Sequence, residues 1–358
     1  MIMRNFNLAT EKPEPVAGNV DCYKTDGGGQ IFRIPLYAFP GLWGIVYVVL
    51  VENYRVLIDT GSGFGDSNQH LEAGLDSASS LAGVDVTLPN LTHILITHGH
   101  IDHFGGLSYV RPRTSAKLGI HELDRSVVTH HVERLSIVVR RLEEFLAEAG
   151  VPPEKWGPIL EMYKITKSLY QSVPVDFTYE AQGMRLGPFE MLHVPGHCPG
   201  HVVIRLHDVL FSGDHVLGEI SPHQAPERLM PWTGLGHYLE SLEALRPWAK
   251  EVHLTLGGHE NPMTDLEGRL DAIRILHIQR LQQVLDYLAE PLTIAEVSRK
   301  LFGEVKGYNV LLALEETGAH IEYLHQRGML RIENLADLER DDGLMPIRYR
   351  CIECKLAN

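Results

Sequence analysis

Residues 91–106 read LTHILITHGHIDHFGG and bring four potential metal ligands within six positions. The first seven residues form a short apolar run that predicts a buried strand, and the glycine-bounded segment after it predicts a loop. Successive residues of an extended chain point to opposite sides, so His98 and His100, two positions apart, lie on one side and can bind one metal. The adjacent pair, Asp102 and His103, can then reach a second metal. Imidazole and carboxylate ligands are typical of catalytic zinc sites.

Three later segments each place a histidine or an aspartate at the end of a predicted strand. They read VPGH at 194–197, FSGDH at 211–215 and LGGH at 256–259. Glycines in such turns let the backbone approach a bound ion closely. The order HxHxDH followed by His, Asp and His is highly specific, so the sequence predicts ligands that converge from distant positions at one edge of a layered fold.

The surrounding pattern alternates between strands and helices. Apolar, β-branched runs predict strands at residues 31–36, 43–51, 55–58, 185–194, 202–206, 209–211 and 252–256. Apolar residues at helical spacing predict a helical insertion at about 122–181 and a helix at 238–248. Strands, then helices, then strands, helix and strand fit a layered α/β sandwich.

The last ninety residues follow a different pattern. A long helix comes first, Thr293 and Glu296 form a capping box that opens a second, and a third runs from about 308 to 327. Two short strands follow. Three helices and a two-stranded wing predict a winged-helix-like domain at 269–358, behind a catalytic domain at 1–268.

Composition and charge limit the function classes. The chain has 358 residues, 44% of them hydrophobic, and a formal net charge of −14, which repels polyanions and argues against a nucleic-acid substrate. The first twenty residues lack the apolar segment of a signal peptide, and the longest apolar run is too short to cross a membrane. We expect a cytoplasmic protein with a small-molecule substrate and no nucleic-acid or membrane partner. The sequence is compatible with a homodimer.

Four cysteines are too few for a disulfide scaffold and favour a reducing compartment. Cys198 is interpreted as a small buried residue rather than a ligand. Cys351 and Cys354 are a lone pair near the C-terminus, and Cys351 fits the inward face of the last strand, so burial is favoured over zinc binding.

Taken in order, these pieces resemble the five metal-site motifs of the metallo-β-lactamase superfamily, across roughly residues 30 to 265. The resemblance implies a four-layer αββα sandwich with two divalent ions, zinc first and iron or manganese as alternatives. The ligands it implies are His98, His100 and His197 for the first metal, Asp102, His103 and His259 for the second, and Asp214 as the bridging carboxylate. Asp59 matches the first motif, an acid that orients ligands.

Some positions narrow the resemblance. Asp102 is followed by His103, as in glyoxalase II and lactonase relatives and unlike the true β-lactamases that use cysteine. Residues 213–223 and 236–242 resemble a bacterial glyoxalase-II-like subgroup whose members append a winged-helix-like tail. The sequence departs from the usual Pro-Gly-His-Gly at 257–260, which reads GGHE and keeps the ligand.

The implied ligand set predicts a mechanism. Two divalent ions share a hydroxide whose pKa falls from about 15.7 to near 7, and this hydroxide attacks a carbonyl carbon. One metal stabilises the oxyanion, Asp214 holds the ions together and Asp102 orients the nucleophile. The expected reaction is hydrolysis of a thioester, ester or lactone. His223 and Tyr238 are further catalytic candidates that contact substrate or protonate the leaving group.

Three other functions are weighed. A nuclease of the same fold is disfavoured by the acidic charge and by the absence of a large inserted cap. A mononuclear iron dioxygenase is disfavoured because both ligand sets are complete. Duplex-DNA binding by the tail is disfavoured because residues 269–358 hold 12 Lys and Arg against 14 Asp and Glu, with Glu315, Glu316 and Glu322 in the third helix. The tail is expected to pack on the catalytic domain, close the pocket or mediate dimerisation.

Overall fold

The computed structural model describes residues 19–161, 170–340 and 343–356. The strands are β1 (Asp21–Lys24), β2 (Gln30–Phe39), β3 (Leu42–Val51), β4 (Tyr54–Ile58), β5 (His93–Leu95), β6 (Lys117–Ile120), β7 (Phe177–Thr178), β8 (Arg185–Leu186), β9 (Phe189–His193), β10 (Val202–Leu206), β11 (Val209–Gly213), β12 (Leu254–Gly257), β13 (Leu330–Ile332) and β14 (Tyr349–Cys351). The α-helices are α1 (Ser67–Ala82), α2 (Ile101–Phe104), α3 (Leu107–Val110), α4 (Glu122–Thr129), α5 (His131–Glu148), α6 (Leu235–Ala249), α7 (Leu266–Tyr287), α8 (Ile294–Phe302), α9 (Asn309–Gln326) and α10 (Leu335–Leu338). Residues 156–161 are also helical.

Two mixed sheets lie at the centre. The first runs from β1 to β7 in chain order, antiparallel up to β4 and parallel from β4 to β7. The second has the order β12-β11-β10-β9-β8, in which β12 runs parallel to β11 and the other pairs are antiparallel. The ends of parallel neighbours meet at one edge, which is where ligand-bearing loops can gather.

Both faces of each sheet are buried, which explains the continuous apolar runs in the sequence. In β2, Ile31 faces the second sheet, while Phe32 and Ile34 pack with Leu71 of α1 on the outer face. In the second sheet, Val203 faces outward toward α6 while its neighbours face the first sheet. Successive strand residues point to opposite faces. The predicted four-layer αββα sandwich is therefore confirmed.

The C-terminal residues share a core with the outer face of the second sheet. Phe145 of α5 and Leu242 of α6 pack in one buried cluster with Leu270 of α7 and Leu314 of α9. The predicted domain boundary after residue 268 falls in the first turn of α7. The helices and the β13–β14 pair occur in the predicted order, and the winged-helix identification stays a prediction.

The capping box that opens α8 is confirmed in detail. The Thr293 side chain accepts the main-chain N–H of Glu296, and the Glu296 carboxylate accepts the N–H of Thr293 at 2.8 Å. Gly303 ends the helix. Among the described residues, no helix combines the length and the apolarity needed to cross a bilayer.

Two predictions of secondary structure are corrected. The strand predicted at 185–194 is the hairpin of β8 and β9, because Gly187 adopts a left-handed conformation with φ 54° and turns the chain. The predicted helical insertion at 122–181 contains α4 and α5 but also β7, so its helical part ends before residue 177. Residues 162–169 of that insertion lie outside the described ranges.

The cysteine predictions have different outcomes. Cys198 is fully buried, as expected. Cys351 is half-buried against the core, so its predicted burial is confirmed in part, and it forms a disulfide with Cys354 that was not predicted. The two residues lie three positions apart in the C-terminal strand and the turn after it, where their Cα atoms are 5.5 Å apart. That Cα separation is ordinary for a disulfide.

Candidate metal centre

The seven predicted ligands lie together where β5, β9, β11 and β12 end at one edge of the sandwich. His98, His100 and His197, here called the first set, have ligand atoms within 4.8 Å of one another. Asp102, His103 and His259, called the second set, do the same. The chain therefore brings together residues that are up to 161 positions apart (259 − 98).

The first set presents three imidazoles. His98 Nε2 and His100 Nδ1 are 3.1 Å apart. Two nitrogens bound at about 2.0 Å to a tetrahedral zinc ion lie about 3.3 Å apart, so this spacing suits a shared ion. Two of the other ring nitrogens have protein partners: His197 Nδ1 lies 2.7 Å from the His223 carbonyl oxygen, and His98 Nδ1 lies 3.1 Å from the Thr97 hydroxyl. Such partners fix the tautomer and the orientation of a metal-binding imidazole.

The second set has the same kind of support. His259 Nε2 lies 3.4 Å from Asp102 Oδ2, and its Nδ1 donates to the Trp43 carbonyl oxygen at 2.7 Å. His103 Nδ1 donates to Asp59 Oδ2 at 2.8 Å, and Asp59 also accepts two hydrogen bonds from Thr97. Asp59 thus contacts His103 on the ring nitrogen opposite the one predicted to bind metal. This contact suits the predicted role of Asp59 as an acid that orients ligands.

Asp214 lies between the two sets. Its Oδ2 is 3.2 Å from His259 Nε2, 3.5 Å from His103 Nε2 and 3.9 Å from His197 Nε2. One carboxylate oxygen therefore faces imidazoles of both sets, which is the geometry that a bridging carboxylate requires.

Several buried atoms of this centre lack partners. Within the described ranges, His103 Nε2, His197 Nε2 and Asp214 Oδ1 are buried and make no hydrogen bond. A buried polar atom without a partner costs about 1–3 kcal/mol. His103 Nε2 and His197 Nε2 both face Asp214 Oδ2, at 3.5 and 3.9 Å. Cations between these atoms would satisfy the two imidazoles, so the residues fit a pair of metal ions.

The electrostatics of the centre also favour cations. Burial lowers the pKa of His100 to about 3, so its ring is neutral and keeps a lone pair. Burial also lowers the pKa of His259, but Asp214 and Asp102 outweigh this effect and raise it well above its ordinary value. The carboxylates thus create a negative potential that a positive charge must balance.

A close approach at the last motif requires a glycine. A Cβ at Gly258 would lie 2.4 Å from Asp214 Oδ1 and 2.5 Å from a His103 ring carbon. Glu260, where the family pattern has glycine, takes a left-handed conformation with φ 64°, and its carboxylate accepts the main-chain N–H of Glu219 at 2.7 Å. The departure from the family pattern therefore keeps the glycine-like backbone and adds a side-chain contact.

Asp124, a fully buried residue of α4, was not predicted from the sequence. Its carboxylate accepts the N–H of Gly99 at 2.8 Å and the N–H of Gly200 at 3.0 Å, and Cys198 donates to it at 3.3 Å. It therefore joins the two loops that carry the first set. The sequence feature that could have indicated it is the position of this carboxylate, three residues before Val127 on the apolar face of an amphipathic helix.

The two predicted substrate contacts have different surroundings. Tyr238 is fully buried and its hydroxyl donates to the His215 carbonyl oxygen at 2.9 Å, so the hydroxyl already has a protein partner and its role toward substrate stays a prediction. His223 reaches the centre through its carbonyl group. Its ring lies 3.1 Å from Glu315 of α9, which raises the pKa of His223 although burial lowers it. A substrate contact by this ring stays a prediction.

Comparisons with known proteins bear on the family and the fold of the chain. A family model described as the metallo-beta-lactamase superfamily matches residues 41–259. "Probable metallo-hydrolase YqjP" of Bacillus subtilis (strain 168) is 26% identical over 312 residues, 82% of this chain and 90% of that protein. "Hydroxyacylglutathione hydrolase GloC" of Haemophilus influenzae is 28% identical over 131 residues, 35% of this chain and 50% of that protein. A crystal structure of a beta-lactamase domain protein from Burkholderia ambifaria, 22% identical, has a TM-score of 0.71 and covers 95% of this chain and 96% of its own, which shows a common fold.

Proposed function

Because the chain belongs to the metallo-beta-lactamase superfamily, we propose that it uses two divalent metal ions to cleave a small-molecule thioester, ester or lactone. That the chain is a metal-dependent hydrolase follows from its family and from the hydrolase names of its relatives. One observation supports the proposal of two metal ions: Asp214 Oδ2 lies 3.2 Å from an imidazole of the second set and 3.9 Å from one of the first.

The residues divide the work. The first set would hold one ion, the second set the other, and Asp214 would bind both. Bound divalent ions supply a water of lowered pKa and a Lewis acid that polarises the substrate carbonyl. Asp59 keeps the proton on His103 Nδ1, so Nε2 stays free for a metal. The carbonyl groups of Trp43 and His223 do the same for their histidines.

Asp102 is placed to contact the attacking water. Its side chain is 15% exposed, against 2% for His103 and 10% for His259, so it is the member of the second set most open to substrate and water. The neighbouring His103 and His259 hold its pKa below the ordinary value although burial raises it, so the carboxylate is ionised. We expect it to orient the attacking water by accepting a hydrogen bond from it.

The substrate class rests on charge and on the named relative. A net charge of −14 disfavours a polyanionic nucleic acid. Hydroxyacylglutathione, which appears in the name of the Haemophilus relative, carries its acyl group on a sulfur atom. A glutathione thioester is therefore the first substrate to test, before aryl esters and lactones.

The test begins with protein stripped by a chelator, reloaded with Zn²⁺ and analysed for metal content. We expect two ions per chain and hydrolysis of at least one acyl substrate. Asp214→Asn should lose at least one ion and at least about 10³-fold in kcat, because a missing charged group at the reacting centre costs on this order. Asp208→Asn is the matched control, since Asp208 precedes β11 at its opposite end and its carboxylate accepts the main-chain N–H of Asp26.

Two outcomes would overturn the proposal. Cleavage of a single-stranded oligonucleotide faster than any acyl substrate would identify a nuclease. One iron per chain with oxygen consumption would identify a dioxygenase. Two manganese or iron ions with acyl hydrolysis would keep the proposal and change only the metal.

A further inference from the structure

The segment 221–224, here called the SPHQ segment, joins the catalytic part to the C-terminal helices. It lies between β11 and α6, and α7 and α9 contact three of its residues. Ser221 Oγ lies 3.0 Å from His277 Nε2 of α7. The His223 ring lies 3.1 Å from Glu315 of α9, and the next residue donates its main-chain N–H to Glu316 Oε2 at 2.8 Å.

One peptide group of this segment connects α9 to a predicted metal ligand. The carbonyl of His223 and the N–H of Gln224 belong to the same peptide unit, which is planar and rigid. The carbonyl oxygen accepts from His197 Nδ1 at 2.7 Å, and the N–H donates to Glu316. Each hydrogen bond polarises the other, which strengthens the hold on the imidazole.

Glu316 is itself firmly held. It is 2% exposed, and its other carboxylate oxygen accepts a hydrogen bond from Arg280. Although burial raises its pKa, Arg280 lowers it to about 2, so the carboxylate is ionised at neutral pH. A charged, buried and fixed acceptor is a suitable anchor for a peptide group that must not rotate.

His277, Glu316 and His320 lie close enough to suggest a third metal site, but their atoms have other partners. Ser221 faces one nitrogen of His277, and His320 Nε2 faces the other at 3.2 Å. His320 Nδ1 donates to the Glu316 carbonyl oxygen at 2.7 Å. With Arg280 already beside the carboxylate, a further cation is disfavoured. The cluster is a hydrogen-bond network that supports Glu316.

We propose that Glu316 of the C-terminal helix α9 is a positioning residue for the first metal. It fixes the peptide group between residues 223 and 224, and through it the orientation and tautomer of His197. The inference rests on the proposed function, in that a divalent ion must bind the first set. It makes the C-terminal helices part of the metal centre.

The experiment compares two glutamates of the same helix in the full-length chain. Glu316→Gln removes the charge that holds the Gln224 N–H. Glu322→Gln is the matched control, because Glu322 also accepts main-chain N–H groups, from Glu227 at 2.6 Å and Arg228 at 3.2 Å, and neither leads to a ligand. Metal-free wild type and both variants are titrated with Co²⁺, and the absorption bands of the two bound ions are followed separately.

In Glu316→Gln we expect the affinity of one Co²⁺ site to fall by about 10–100-fold, the usual effect of losing a group behind a ligand, with a changed absorption band for that ion. The affinity of the other Co²⁺ site in Glu316→Gln should stay within twofold of wild type. Both Co²⁺ affinities of Glu322→Gln should do so too. A purely structural role for the C-terminal helices would instead change both variants alike.

Equal Co²⁺ binding in Glu316→Gln and wild type would overturn the inference and leave the proposed function standing. Wild-type protein that binds no Co²⁺ would refute both. Should Glu316→Gln fail to fold, Glu315→Gln takes its place, because it loosens the same segment through the His223 ring. An unchanged Co²⁺ affinity in Glu315→Gln would then overturn the inference.

Discussion

Asp124→Asn tests whether one buried carboxylate holds the two loops that carry the first set. Asp124 Oδ2 accepts the N–H of Gly99 at 2.8 Å, and Oδ1 accepts the N–H of Gly200 at 3.0 Å. Asparagine has the same shape but only one acceptor oxygen, and its other group is a donor. In either orientation of the amide, one main-chain N–H must face another donor.

The size of the effect follows from this mismatch. A hydrogen bond to a charged acceptor contributes about 1.5–3 kcal/mol, and a buried donor without a partner costs about 1–3 kcal/mol. Asp124 is 0% exposed, so water cannot replace the lost acceptor. We expect the free energy of unfolding to fall by about 2–4 kcal/mol, and Zn²⁺ affinity at the first set to fall by about 10–100-fold.

Two measurements separate these effects. Urea unfolding of metal-free protein gives the change in stability, and competition with a chelator gives the Zn²⁺ affinity. Asp176→Asn is the control, because Asp176 also accepts a main-chain N–H, that of Leu118, together with an Arg111 contact. Asp124→Asn protein that loses stability but binds two Zn²⁺ ions as tightly as wild type would refute the role in the metal centre.

Two further predictions concern buried groups other than the predicted ligands. Tyr238→Phe should lower the free energy of unfolding by about 1 kcal/mol, because a buried hydrogen bond is lost. It should leave kcat within twofold of wild type. A 100-fold loss in kcat would instead identify Tyr238 as a proton donor. Burial lowers the pKa of His277 from 6.5 to about 3 and of His320 to about 4. The unfolded chain therefore binds more protons as pH falls below 6.5, and stability should decrease from there toward pH 4. Urea midpoints of metal-free protein check this, and a pH dependence that His320→Asn does not weaken would contradict it.

The parts of the fold that sequence predicts well are those buried on both faces. The strand predicted at 43–51 is observed as β3 (Leu42–Val51), since a continuous β-branched run has few other solutions. Helix α1 escaped prediction because its buried face includes Ser67, Gly74 and Ala78 beside only two leucines. Small residues let this helix lie close to the sheet, but they give a weak periodic signal.

The candidate site divides along a similar line. The seven predicted ligands and Asp59 would act through their side chains, so their types and their order are visible in the sequence. Asp124 and Glu316 act on main-chain N–H groups, which every residue except proline carries. No spacing of residue types points to such partners, and only the folded chain shows which peptide groups a buried carboxylate meets.

The acidic residues of α9 show how burial changes an interpretation. In the sequence, Glu315, Glu316 and Glu322 argued only against DNA binding. In the structure, each accepts a hydrogen bond or an ion pair from residues 223–228 of the catalytic part. Burying a carboxylate is costly unless it is paired, so these contacts penalise any other placement of the helix. The acidic face therefore specifies how α9 packs, and this packing sets the peptide group that His197 contacts.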